Sequence, residues 1–207
     1  MEIYLDANAT TPVLPQARLA ALAAMAEDYG NPSSIHSTGL RARSLIDDVR
    51  ARARRVLGAP AGRLLFTSGA TEGIQTAVLS ALVSLRERRD RGEAIPELLL
   101  YGATEHKAVP ESLRHWNALL ELGLQVQTIP VGADGRHDLG WLRERAPRAG
   151  LVCTMAANNE TGVVSDLDGV AAALADSPAL WLVDGVQALG KLALRLSERR
   201  IDRKSVV

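Results

Sequence analysis

The feature that most constrains this chain is the alternation of short apolar runs with longer stretches of helical periodicity. Residues 64–67 (Leu-Leu-Phe-Thr), 98–101 (Leu-Leu-Leu-Tyr), 124–129 (Leu-Gln-Val-Gln-Thr-Ile), 151–155 (Leu-Val-Cys-Thr-Met) and 180–184 (Leu-Trp-Leu-Val-Asp) have strand length and read as strands. Helices lie between them. From Thr71 to Arg89, the residues Ile74, Val78, Leu82 and Leu85 recur at the spacing that lines one helix face, and Gly92 supplies a stop. A helix over about 39–58 is expected to turn Leu45, Val49, Val56 and Leu57 inward and its arginines to solvent. Further helices fit 15–28, 107–122, 138–146 and 166–176. Such alternation builds βαβ crossovers, so the predicted class is α/β: a mostly parallel sheet with helices on both faces. Ligands in these sheets sit beyond the carboxyl ends of the strands, which makes the residues after each apolar run the candidates for function.

Composition narrows the function classes. The 207 residues carry 24 Lys+Arg against 24 Asp+Glu, with only three Trp, three Tyr and one Phe. A neutral, aromatic-poor chain lacks the basic footprint and stacking platforms of nucleic-acid binding, so direct binding of nucleic acid is not expected. No apolar run approaches the roughly 20 residues of a membrane span. The acidic, strand-like start Met1–Asp6 is unlike a secretory signal. The single cysteine, Cys153, rules out an internal disulfide and makes a cytoplasmic location the expectation. Its place in the middle of an apolar run suits an inert buried thiol better than a nucleophile.

Four strand ends carry chemistry. After 64–67 comes Ser68-Gly69-Ala70-Thr71-Glu72-Gly73, small residues opening a helix, where backbone N–H groups and the helix dipole favour a phosphate; an ordinary helix cap by Ser68 or Thr71 would use the same residues. The segment matches neither the P-loop nor the dinucleotide fingerprint. After 98–101 comes Ala103-Thr104-Glu105-His106-Lys107, whose imidazole can stack on a planar ligand or be a surface histidine. After 151–155 come Asn158-Asn159, amides that can serve a ligand oxygen or a turn. After 180–184 come Asp184, half-buried at the sheet edge, and Gln187; the carboxylate can pair with a protonated ring nitrogen or cap the next turn. A phosphate cradle, a stacking ring, amides and a carboxylate together suit pyridoxal phosphate better than a nucleoside triphosphate or a metal.

Six segments in order now resemble a known family. Tyr4-Leu5-Asp6-Ala7-Asn8-Ala9-Thr10-Thr11-Pro12, Gly30-Asn31-Pro32-Ser33-Ser34 with His36, Phe66-Thr67-Ser68-Gly69-Ala70-Thr71-Glu72, Thr104-Glu105-His106, Asn158-Asn159-Glu160-Thr161-Gly162 and Val183-Asp184-Gly185-Val186-Gln187 are similar to the motifs of cysteine desulfurases. These are pyridoxal-phosphate enzymes of the class V aminotransferase fold. The resemblance implies the large domain of a fold-type I transferase and a homodimer. It implies L-cysteine as substrate, L-alanine as product, and sulfur passed as persulfide to an enzyme cysteine and then to acceptor proteins. It implies that Ala70 and Thr71 hold the phosphate, His106 stacks on the ring, Asp184 pairs with the pyridine nitrogen, and Asn159 and Gln187 contact the phenolic oxygen. Departures from the family pattern, Asp-Gly-Val-Gln-Ala at 184–188 and Ala-Ala-Asn-Asn-Glu at 156–160, keep these contacts and alter their neighbours. A selenocysteine lyase, a kynureninase-like enzyme and a non-catalytic scaffold remain alternatives.

The resemblance also implies a Schiff-base lysine about two dozen residues beyond Asp184, which would fall just past Val207, with the sulfur-accepting cysteine later still. Lys191 and Lys204 stand at other positions, so neither is assigned that role. The expected organisation is an N-terminal arm over 1–14, part of a cofactor-binding domain over 15–201, and a tail over 202–207. That tail, Asp202-Arg203-Lys204-Ser205-Val206-Val207, reads like a translated sequencing adapter and is expected to be non-native. A chain without that lysine and cysteine is expected to be inactive by itself.

Overall fold

The computed structural model describes residues 3–59, 61–193 and 203–205, and the chain divides into two compact units, Met1–Leu65 and Phe66–Val207.

The first unit holds helices α1 (Pro15–Glu27) and α2 (Ser37–Val56). Proline at the first helical position starts α1, because the N–H it lacks would have no partner within the helix there. The α1 helix buries none of its residues, and Leu19, Leu22 and Met25 are exposed. The Nδ1 atom of His36 caps α2 by accepting from the Gly39 N–H at 3.4 Å. The Asn31–Ser34 turn folds tightly onto this start: a Cβ on Gly39 would lie 2.6 Å from the Ser34 carbonyl oxygen. Within α2 only Gly39 and Ala42 are buried. The expected inward stripe is therefore corrected, since Val56 is 80% exposed and Leu45, Val49 and Leu57 are only half-buried. The arginine-rich C-terminal half of α2 leaves too narrow an apolar stripe to bury.

The second unit runs α3 (Ala70–Asp90), β1 (Leu98–Gly102), α4 (Ala108–Leu119), β2 (Gln125–Ile129), α5 (Leu139–Arg145), β3 (Ala149–Met155), α6 (Leu167–Ala173), β4 (Leu180–Asp184) and β5 (Arg203–Ser205). The strands form one sheet in the order β2-β1-β3-β4-β5, and every pairing is parallel. This is the α/β class that the sequence predicts. Residues 64–67 are the exception: they form no strand, and Leu65 and Phe66 are exposed. An apolar run becomes a strand only when a neighbouring strand takes its backbone hydrogen bonds, and no pairing reaches this one among the described residues.

Alternation along the strands divides the core. Leu99, Leu151, Cys153 and Leu182 join Ile74, Val78, Leu82 and Leu85 of α3 and Val109 and Leu113 of α4 in one buried cluster. The predicted stripe of α3 is thus the one that packs. The other sheet face carries Leu98, Leu100, Val152 and Trp181, all fully buried, and the indole of Trp181 donates to Thr154 Oγ1 at 2.9 Å.

Candidate functional site

Strand order fixes where a ligand can sit. From β1 the chain steps outward to β2 and then returns to the other side of β1 as β3, so the connections diverge at the β1/β3 boundary and leave a crevice at the carboxyl ends. The N-terminus of α3 points to that same edge. Its last turn is bonded at the opposite edge, where Arg86 and Arg89 donate to the Leu120 and Glu121 carbonyls in the turn that leads into β2.

Each predicted residue stands at the carboxyl edge. Ala70 and Thr71 open α3. The cap position is Gly69, and no side-chain hydrogen bond caps the helix, which leaves open the alternative of a ligand but not a Ser68 or Thr71 cap. Instead, the N–H and hydroxyl of Ser68 both donate to Glu72 at 2.6 Å, which holds the Glu72 carboxyl below its usual range. Gly69 has φ 174°, which any residue adopts, and a Cβ there would meet nothing within 4 Å. The fold does not require glycine at this point, whereas an anion drawn close to the backbone does.

His106 is exposed in the loop after β1, and its Nδ1 accepts from the Ala108 N–H at 3.2 Å, so the neutral ring carries its proton on Nε2. Asp184 ends β4 and is 7% exposed, deeper than the half-burial expected from sequence. Burial raises its carboxyl; the Val186 N–H, donating at 2.9 Å, and the nearby His106 imidazole pull it back. A carboxylate held beside an imidazole at a sheet edge is set to receive a cation, and a protonated ring nitrogen supplies one.

The two adjacent amides separate in role. Asn158 is buried and structural: its Nδ2 donates to the Thr104 carbonyl, and its Oδ1 accepts from the Glu160 and Thr161 N–H groups. The neighbouring Asn159 is half-buried, as is Gln187, whose Oε1 accepts from Lys191 Nζ at 2.7 Å. The residues therefore fit a phosphorylated, nitrogen-containing ring on donor chemistry and on the cradle at Gly69.

Two buried groups escape sequence reasoning. Glu105 accepts from the Met155 N–H at the end of β3, and its Oε2 is sealed from solvent without a hydrogen-bond partner. Both ring nitrogens of His137 are likewise buried and unpartnered. The only signal in the sequence is an acid three residues past the end of a buried strand; His137 gives none.

A doubly wound parallel sheet with this edge defines a class, and the match to known families agrees. Residues 3–205 match the family model for class V aminotransferases, and the chain belongs to that family. Its curated relatives include the cysteine desulfurase of Cereibacter sphaeroides, 38% identical over 99% of this chain and 51% of the relative. Among solved structures, a NifS-like protein superposes with a TM-score of 0.86 at 30% identity, covering 100% of this chain and 55% of that one. DndA from Streptomyces lividans gives 0.76 at 35% identity, covering 97% and 53%. The chain thus spans about half the length of the relatives it matches.

Proposed function

We propose that this chain supplies the pyridoxal-phosphate cradle of a cysteine desulfurase, which takes sulfur from L-cysteine and leaves L-alanine and an enzyme persulfide. The observation that carries the reading is Asp184, a buried carboxylate at the end of β4 beside His106. When bound, the cofactor's pyridine ring acts as an electron sink. Asp184 would keep the ring nitrogen protonated, and His106 would cover one ring face with its Nε2–H directed away from the Ala108 bond. Ala70 and Thr71 would hold the phosphate at the start of α3, with Gly69 permitting close approach. Asn159 and Gln187 would donate to the phenolic oxygen through their amide N–H groups, and Gln187 can do so while its Oε1 accepts from Lys191.

The reading leaves covalent tethering and sulfur capture to a lysine and a cysteine in the region expected beyond Val207, since Lys191 is bonded to Gln187 and Cys153 is buried inside the sheet. Binding without turnover is the expected behaviour of these 207 residues. A homodimer, sulfur-acceptor proteins and a cytoplasmic location belong to the same reading. Among the described residues, no helix is long and apolar enough to cross a membrane.

The test is a titration of pyridoxal phosphate into the chain, followed by ring absorbance and fluorescence. Saturable binding that Asp184→Ala and His106→Ala each weaken at least about tenfold, roughly 1.4 kcal/mol, supports the reading. Binding that ignores both substitutions overturns it. Sulfide release from L-cysteine by these residues alone would overturn the assignment of the chemistry to groups beyond Val207.

A further inference from the structure

Glu105 lies where the chain's two site loops meet, yet nothing in the cofactor reading uses it. Its Oε1 is bonded to the N–H of Met155, fifty residues away, and this ties the loop that carries His106 to the end of β3. The parallel register of β3 and β4 places Met155 opposite Asp184, and the charge of Asp184 acts on the carboxylate of Glu105. Its Oε2 is sealed without a partner. The groups that face it are Asp184 from β4, Cys153 from β3 and His137 from the connection between β2 and α5, with His106 beyond Asp184. Among the described residues, no lysine or arginine is among the charges acting on it.

Two buried carboxylates that act on one another cannot both stay ionised cheaply. The burden falls on Glu105, because Asp184 has the Val186 N–H and the His106 imidazole to support its charge while Glu105 has one N–H only. We propose that Glu105 is a positioning residue for the ring site: protonated, it clamps the His106 loop to the end of β3 and leaves Asp184 as the single negative charge facing the ring. This rests on the cofactor reading above. Burial first, and then the charge of Asp184, push Glu105 up to about 8, so the protonated clamp holds at neutral pH and opens at mildly alkaline pH. Once ionised, Glu105 accepts from Met155 more strongly, but burial and the charge of Asp184 outweigh that bond and favour its release to water, and the loop bearing His106 moves with it.

Two measurements on the 207-residue chain test this. In infrared titrations without cofactor, a protonated-carboxyl band should persist at neutral pH, titrate near 8 and be missing from Glu105→Gln. A band lost in the ordinary glutamate range would overturn the proposal. In pyridoxal phosphate titrations across the same pH range, the wild type should lose affinity about tenfold on passing that pKa, while Glu105→Gln, which keeps the acceptor for Met155 and cannot ionise, should show no such step. Glu105→Ala should bind weakly at every pH, with binding restored in the glutamine variant. Identical pH profiles in wild type and Glu105→Gln would overturn the proposal. A wild type that binds no cofactor at any pH would overturn the cofactor reading instead, and the infrared band would still support or sink the protonated clamp.

Discussion

The side-chain amide of Asn158 donates a 2.9 Å hydrogen bond to the backbone carbonyl of Thr104, joining the loop after β3 to the loop after β1. Through its other end, Asn158 accepts from the N–H groups of Glu160 and Thr161 at 2.9 and 2.7 Å. Each such buried bond is worth about 1 kcal/mol net, and more when its partner is stranded. Asn158→Ala should therefore destabilise by about 2–4 kcal/mol in urea unfolding. A loss under about 0.5 kcal/mol would mean that the two loops are not joined through this amide.

Gly102 ends β1 where side chains crowd the backbone. A Cβ there would lie 2.3 Å from His137 Nε2 and 3.1 Å from Glu105 Oε1. Gly102→Ala should cost about 1–3 kcal/mol through overpacking. Removing the imidazole as well, in Gly102→Ala/His137→Ala, should recover part of that cost, and thermal unfolding of the four proteins of the cycle measures the coupling. Strict additivity would show that the alanine methyl does not meet His137.

Stability should fall as pH rises through the neutral range. Glu105 titrates near 8 when folded but near its ordinary 4.5 when unfolded, so between these values the native state holds the extra proton. The unfolding free energy then declines with pH by up to about 1.4 kcal/mol per unit from this group and levels off above its folded pKa. Asp184, also raised by burial, acts in the same direction. His137 acts oppositely: burial lowers it, so it adds stability as pH rises towards its ordinary 6.5. Between 6.5 and 8 His137 no longer opposes the decline. Denaturant melts across this interval should slope downward for wild type and less steeply for Glu105→Gln; parallel slopes would contradict the assignment.

Cys153 is fully buried between Leu151 and Met155, and burial, aided by the nearby Glu105, pushes its thiol well above the usual range. Thiol reagents should therefore modify the folded chain only as fast as it opens. In denaturant the same thiol should react at once. Labelling of the native chain at the rate of a free thiol would contradict this burial.

How far the sequence reveals this molecule depends on whether a property is local. The stripe Ile74, Val78, Leu82, Leu85 is written in the spacing of one helix, and the structure packs those four residues against the sheet. The run 64–67 looks the same as a strand by composition, but pairing is a property of two segments, and among the described residues none pairs with it. Asn158 and Asn159 are chemically identical, so only the position of the Thr104 carbonyl assigns the first to the scaffold and leaves the second toward the edge. Asp184 could be placed at a sheet edge from its apolar lead-in. The depth of Glu105 could not, because it depends on Met155 and Asp184, brought alongside by strand order.

The start of α3 has a consequence for how the chain behaves as a folding unit. The 21-residue α3 helix begins at Ala70, and no side-chain hydrogen bond caps it at Gly69. An anion seated there would bond the start of the helix as well as occupy the site, so recognition and folding would draw on one and the same contact. If a ligand does bind there, the melting temperature of the chain should rise with ligand supply.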